Sequence, residues 1–310
     1  MNYLEFCENV KRKLQDVIPE STSVRIQKII KNNNVIRYAA IISEENSNIS
    51  PSIYLENFYS DYINGKTLTN ICTEILCMHE KYKDGIDFNI DNYFDYDYVK
   101  DKLYLKVINK EKNKEFLQNI PYREFCDLAI VVYIALDEAK NGQATITVNN
   151  RNLEIWNVTK DHIFDAAFMN AYENTPPRLE KISTVMRELL EERFMDIEDE
   201  EVEAGIDAII DLMESDDEKS MYVLTNSIKL NGACYILYEE YIKKFANKID
   251  SDLYILPSSI HEILLVPMDC GVEKEELEKM VRDINKTEVS PGEVLSDSVY
   301  EFYRESGFKK

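Results

Sequence analysis

The stretch Leu256-Pro257-Ser258-Ser259-Ile260-His261-Glu262-Ile263-Leu264-Leu265-Val266-Pro267 sets two hydroxyls, an imidazole and a carboxylate between two apolar runs. A histidine beside a carboxylate can act as a general base or hold a metal. Strand ends suit such chemistry, because a rigid strand fixes the side chain and the turn exposes it. A hydrolase-type site here would use His261 with Glu262, or with Asp297 from Leu295-Ser296-Asp297-Ser298-Val299-Tyr300. Asn226 and Asn231 near the preceding strand, with Ser258, Ser259 and Tyr300, are the candidate binding side chains. Neighbours on an extended strand face opposite sides, so His261 and Glu262 share a site only if the turn continues through both. The plainer alternative is structural: the serines close a turn after Pro257, His261 satisfies a carbonyl and Glu262 starts a strand.

Other constellations are missing. No G-x-G-x-x-G, P-loop, G-x-S-x-G or H-E-x-x-H sequence occurs, so no cofactor is expected. The acidic run Asp91–Asp97 lacks the central glycine and closing glutamate of a calcium loop. The six cysteines form no C-x-x-C pair and read as small buried hydrophobes. With three histidines, a site built on several of them is excluded, and no metal is expected; His79 reads as a boundary residue closing a helix stripe.

The elements that must position these residues follow from periodicity. Helices are expected at 2–18, 56–62, around 68–76, 93–102, 159–172, 232–248 and 274–285, and in two pieces over 178–214. Ser23–Ile30 and Val35–Ser43 form a hairpin across the asparagine-rich break Lys31–Asn34, with Ser52–Leu55 a third strand. Further strands are expected at 103–109, 128–136, 144–148, 221–225, 253–256, 262–266 and 298–302, with Leu153–Trp156 leading as a strand into a helix. Mixed order with hairpin-like neighbours predicts an α+β fold, with mixed or antiparallel sheets and packed helices. Eight glycines and eight prolines leave no flexible linker, so there is one large domain or two tightly packed ones, drawn at 1–120 and 121–310.

The net charge of −22 argues against direct nucleic-acid binding. That acidity is concentrated. Residues 191–218 hold fourteen carboxylates against Arg193, a net of −13, which leaves −9 on the rest of the chain. This segment suits a basic protein partner. No apolar run reaches membrane-spanning length, and the first residues lack a signal-peptide pattern, so a cytoplasmic location is expected. A non-catalytic binding or regulatory role is expected first. A hydrolase-type enzyme and an acidic nucleic-acid mimic are the alternatives.

Several segments carry a resemblance. Asn119-Ile120-Pro121 precedes an apolar strand, and Trp156-Asn157-Val158-Thr159 leads into a helix closed by Glu173-Asn174-Thr175-Pro176. Met221–Asn226 is followed by Asn231-Gly232-Ala233, Leu256–Glu262 runs into Leu264–Pro267, and Glu288-Val289-Ser290-Pro291 precedes Leu295–Tyr300. In this order they resemble an uncharacterised family of Gram-positive gut bacteria and their mobile elements, known only as a domain of unknown function. The resemblance implies no activity and no site residues.

Overall fold

The asparagine-rich break makes the first hairpin. In the computed structural model, α1 (Tyr3–Gln15) leads into β1 (Thr22–Ile30) and β2 (Ile36–Glu44), paired antiparallel from Thr22↔Glu44 to Ile30↔Ile36. Asn33 and Asn34 sit at φ 58° and 57°, a left-handed conformation that asparagine tolerates better than most residues. β3 (Ser52–Tyr54), α2 (Glu56–Ile63) and α3 (Leu68–Tyr82) complete this layer. Its core joins Phe6, Val10 and Leu14 of α1, Val24, Ala40, Ile42 and Ile53 of the sheet, and Ile71, Cys72 and Ile75 of α3. The structure describes residues 1–44, 50–82, 90–136, 144–195, 200–214, 221–257 and 259–309.

The short helix α4 (Tyr96–Val99) precedes β4 (Leu103–Asn109), and the short α5 (Lys114–Leu117) follows it. β5 (Tyr122–Phe125), β6 (Leu128–Leu136) and β7 (Ala144–Thr147) join β4 in a second sheet, with β6 in contact with all three partners. A boundary at residue 120 would divide this sheet, because β4 pairs with β6 from Leu103↔Ile134 to Asn109↔Leu128. Then come α6 (Asn150–Trp156), α7 (Lys160–Asn174), β8 (Pro177–Lys181), α8 (Ile182–Phe194), α9 (Glu200–Glu214) and β9 (Tyr222–Asn226). The chain closes with α10 (Glu239–Ile249), β10 (Leu253–Leu256), β11 (Ile263–Pro267), α11 (Lys274–Thr287), β12 (Tyr300–Tyr303) and β13 (Gly307–Phe308). The third sheet runs β13-β12-β10-β11-β9-β8, and all its pairings are antiparallel. The fold is α+β, as expected.

The second and third sheets share one core. Leu103, Leu105 and Val107 of β4 and Ile130 and Val132 of β6 meet Phe164 of α7, and Ile255, Leu265 and Phe302 of the third sheet. α11 covers the opposite face of that sheet through Leu277 and Val281 against Leu256 and Val266.

Some local readings are corrected. Leu153–Trp156 is helical: the Asn149 side chain accepts from the Asn152 N–H, and the Asn152 side chain accepts from the Asn149 N–H, a reciprocal cap that starts α6. Residues 177–181 form β8 rather than helix, paired with β9 from Pro177↔Asn226 to Lys181↔Tyr222. Gly232–Leu237 is a 3-10 segment, and the α-helix starts only at Glu239. Cys77 and Cys126 are exposed rather than buried, whereas the other four cysteines are buried as expected. His79 is 4% exposed, so it lies within the core layer and not at its boundary.

Candidate functional site

The turn between β10 and β11 does continue through His261 and Glu262, because β11 begins only at Ile263. It is held from both sides. Ile260 N–H donates to Glu293 O at 2.9 Å, Ser296 N–H to Pro257 O at 2.9 Å, and the Thr225 hydroxyl to His261 O at 2.8 Å. Gly232 lets the chain pass this closely: a Cβ there would lie 2.3 Å from Thr225 Oγ1 and 2.6 Å from His261 O.

Within this frame the candidates separate. His261 Nδ1 accepts from Asn231 N–H at 3.3 Å, and its Nε2 faces Glu293 Oε1 at 3.8 Å. The Ser259 hydroxyl accepts from His261 N–H at 3.0 Å. Among the described residues, no hydroxyl or thiol is hydrogen-bonded to the His261 ring. Burial pushes the Glu262 carboxyl above its usual range, and its bond with Ser259 and the nearby His261 partly oppose this. Asn226 closes its own turn, accepting from Leu230 N–H at 3.0 Å and donating to Leu230 O at 2.8 Å. Asp297 accepts from Asn285 of α11 at 2.8 Å and is not joined to His261. The Tyr300 hydroxyl donates to Asp127, which also takes the Ser296 hydroxyl at 2.6 Å. Ser258 lies outside the described residues.

The carboxylate facing His261 is therefore Glu293, which the sequence did not single out. Glu293 lines a cleft of about 430 Å³ with Lys31, Arg37, Tyr54, Glu56 and Lys106. Asparagines fix its walls. Asn32 donates to Gly292 O at 2.7 Å, and Asn33 donates to Pro291 O at 2.9 Å and Val294 O at 2.6 Å. Asn113 returns a bond to Asn33 at 3.0 Å, and Asn109 donates to Leu295 O at 2.9 Å. The hairpin turn, the second sheet and the 290–295 loop are thus locked together around the cleft.

The charges in the cleft do not cancel. Glu56 accepts from Tyr3 OH at 2.9 Å and Tyr38 N–H at 2.8 Å, and faces Arg37 at 3.8 Å. Lys31 lies over the Tyr54 ring, 4.7 Å from its centroid. Lys106 has no hydrogen-bond or ion-pair partner among the described residues. It sits on the face of β4 opposite Leu105 and Val107, in register with the buried Val131. Burial lowers its ammonium from the usual lysine value, Lys31 adds to the shift, and Glu293 opposes it. The arrangement can receive negative charge that the chain itself does not supply.

The acidic segment forms a helix pair. Residues 196–199 and 215–218 of it lie outside the described residues. Arg187 bridges to Asp207 at 2.8 Å, and Ile206 and Ile210 are buried. Leu189, Met195, Ile209 and Leu212 are exposed, so its apolar stripe is only partly docked.

Among the described residues, no helix is long and apolar enough to cross a membrane. The profile of a family of unknown function (DUF5688) matches residues 3–304. No curated protein and no solved structure matches the chain.

Proposed function

The chain belongs to a family of unknown function, DUF5688, and from that premise we propose that it is a non-catalytic binding protein whose cleft holds an anionic small molecule. Lys106 carries this reading: a largely desolvated ammonium, without a hydrogen-bond or ion-pair partner among the described residues, lining a cleft whose walls are fixed by asparagines. An unpaired buried charge is costly, so a ligand that neutralises it is bound strongly. Lys31 and Arg37 add two further cations. The volume is that of a metabolite-sized ligand rather than a bare ion. Bacterial origin, suggested by the resemblance of the segments, and a cytoplasmic setting belong to the same reading.

Calorimetric titration with pyrophosphate at low salt tests it. One saturable site is expected, weakened at least tenfold by Lys106→Met and unchanged by Glu262→Gln. No saturable heat, or equal affinity for Lys106→Met, contradicts the reading.

The acidic helix pair favours a second, separate role. Exposed Leu189, Met195, Ile209 and Leu212 among carboxylates suit a basic amphipathic helix. A lysine–leucine amphipathic peptide should bind at low salt and lose affinity with Leu189→Ser. Binding that ignores both the substitution and salt would refute this.

A further inference from the structure

We propose that Glu44, His79 and Glu80 form a site for a divalent transition-metal ion, fastening the end of β2 to the last turns of α3. His79 is 4% exposed, and among the described residues neither of its ring nitrogens has a hydrogen-bond partner. A neutral imidazole has one donor and one acceptor to satisfy, and buried polar groups are rarely left orphaned. An orphaned ring nitrogen facing carboxylates therefore points to a group that would take it up.

The ring is aimed at carboxylates. One ligand atom from each of Glu44, His79 and Glu80 lies within 4.8 Å of the others. His79 Nε2 stands 3.6 Å from Glu44 Oε1, long for a hydrogen bond. Two ligands that each approach a tetrahedral ion at about 2.1 Å stand about 3.4 Å apart, so this pair needs only a small adjustment. An ion pair between a protonated His79 and Glu44 would place a positive charge on a buried ring. A metal instead takes the neutral ring and puts its charge beside two carboxylates.

The backbone prepares the site. Glu44 ends β2 and is held in register opposite Thr22. The stripe Ile71, Cys72 and Ile75 docks α3 on the same sheet and so fixes where His79 falls. Both glutamates are exposed, which gives an ion an entry path and leaves coordination positions for water. One imidazole with two carboxylates favours Zn²⁺ or Mn²⁺ over Ca²⁺ and Mg²⁺, which prefer all-oxygen sets. The site is distinct from the anion cleft. Glu44 is seven residues along β2 from Arg37, about 23 Å at roughly 3.3 Å per residue.

Zinc titration of the chelator-stripped full chain tests the proposal, read by calorimetry and by the melting temperature. One equivalent of Zn²⁺ is expected to bind and raise the melting temperature. Glu44→Gln, at an exposed position, should melt like the parent in chelator and bind Zn²⁺ at least tenfold more weakly. His79→Leu should lose the site, and if that variant fails to fold, Glu44→Gln decides. A hundredfold excess of Ca²⁺ should leave Zn²⁺ in place. Absence of saturable binding, unaltered affinity in Glu44→Gln, or displacement by Ca²⁺, as a diffuse cloud on an acidic surface would show, overturns it.

Discussion

The β10–β11 turn and the end of α3 each present a histidine beside carboxylates, and they differ in what the surrounding chain has already satisfied. His261 stands in a conspicuous run of polar residues, yet Asn231 occupies its Nδ1 and the neighbouring polar groups bind one another. His79 stands in an apolar helix stripe, yet its ring is buried and, among the described residues, neither nitrogen is hydrogen-bonded. Lys106 and Glu301 make the same contrast with charge. Lys106 has no ion-pair partner among the described residues, whereas Lys274 at 3.0 Å and Lys309 at 2.6 Å clamp Glu301. Polar groups that the fold completes are scaffold, and those it leaves incomplete are where a ligand has something to gain.

The largest way to break the contrast is to unseat the scaffold turn. Gly232→Ala forces a methyl against Thr225, His261 O and Asn226 N, and should destabilise the chain by about 3 kcal/mol in urea unfolding. A neutral result would mean that the turn is loose and its polar groups available.

A smaller effect tests the matched charge. The two lysines hold Glu301 down at about 2, well below the carboxylate reference of 4.5. Its contribution is therefore complete above pH 4.5 and is lost as pH falls from 4.5 toward 2. Glu301→Gln should flatten that part of the stability–pH curve. Lys106 runs the other way: its ammonium is lowered, so the cost of charging it is present at neutral pH and fades as pH rises toward 10.5. Lys106→Met should therefore match or exceed the parent's stability at pH 7, with the difference shrinking in alkali.

The smallest effects compare the histidines directly. In chelator, His79→Leu replaces an unsatisfied ring by an apolar side chain and should be neutral or up to about 1 kcal/mol stabilising. His261→Ala gives up one long hydrogen bond on a partly exposed ring and should cost about 0.5 kcal/mol. Urea unfolding of the pair checks both, and a reversal of their order contradicts the contrast.

Much of the architecture was legible in local pattern. The β-branched runs flanking Asn32–Asn34 and the apolar run Leu128–Leu136 became strands close to their expected limits, because propensity and burial agreed. β8 was hidden because Pro176-Pro177 reads as a stop, and its strand character comes from pairing with β9. The Leu153–Trp156 segment was too short for periodicity to settle, and the cap at Asn149 decided it. Of the site, the turn was legible because its polar residues are contiguous. The cleft was not, because Lys31, Arg37, Lys106 and Glu293 come from separate elements that only tertiary packing brings together. One signal was available: Lys106 interrupts the outward face of a strand whose other face carries Leu103, Leu105 and Val107.

The central claim is that incomplete groups, and not the conspicuous turn, mark where this protein binds. An amide NMR titration of the isotope-labelled full chain with pyrophosphate tests it most directly. The account predicts saturable shifts at Lys31, Arg37, Lys106 and Gly292, with Asn226 and Asp297 unmoved. Shifts confined to Asn226, Asp297 and their neighbours, or no saturable shift at all, would contradict it.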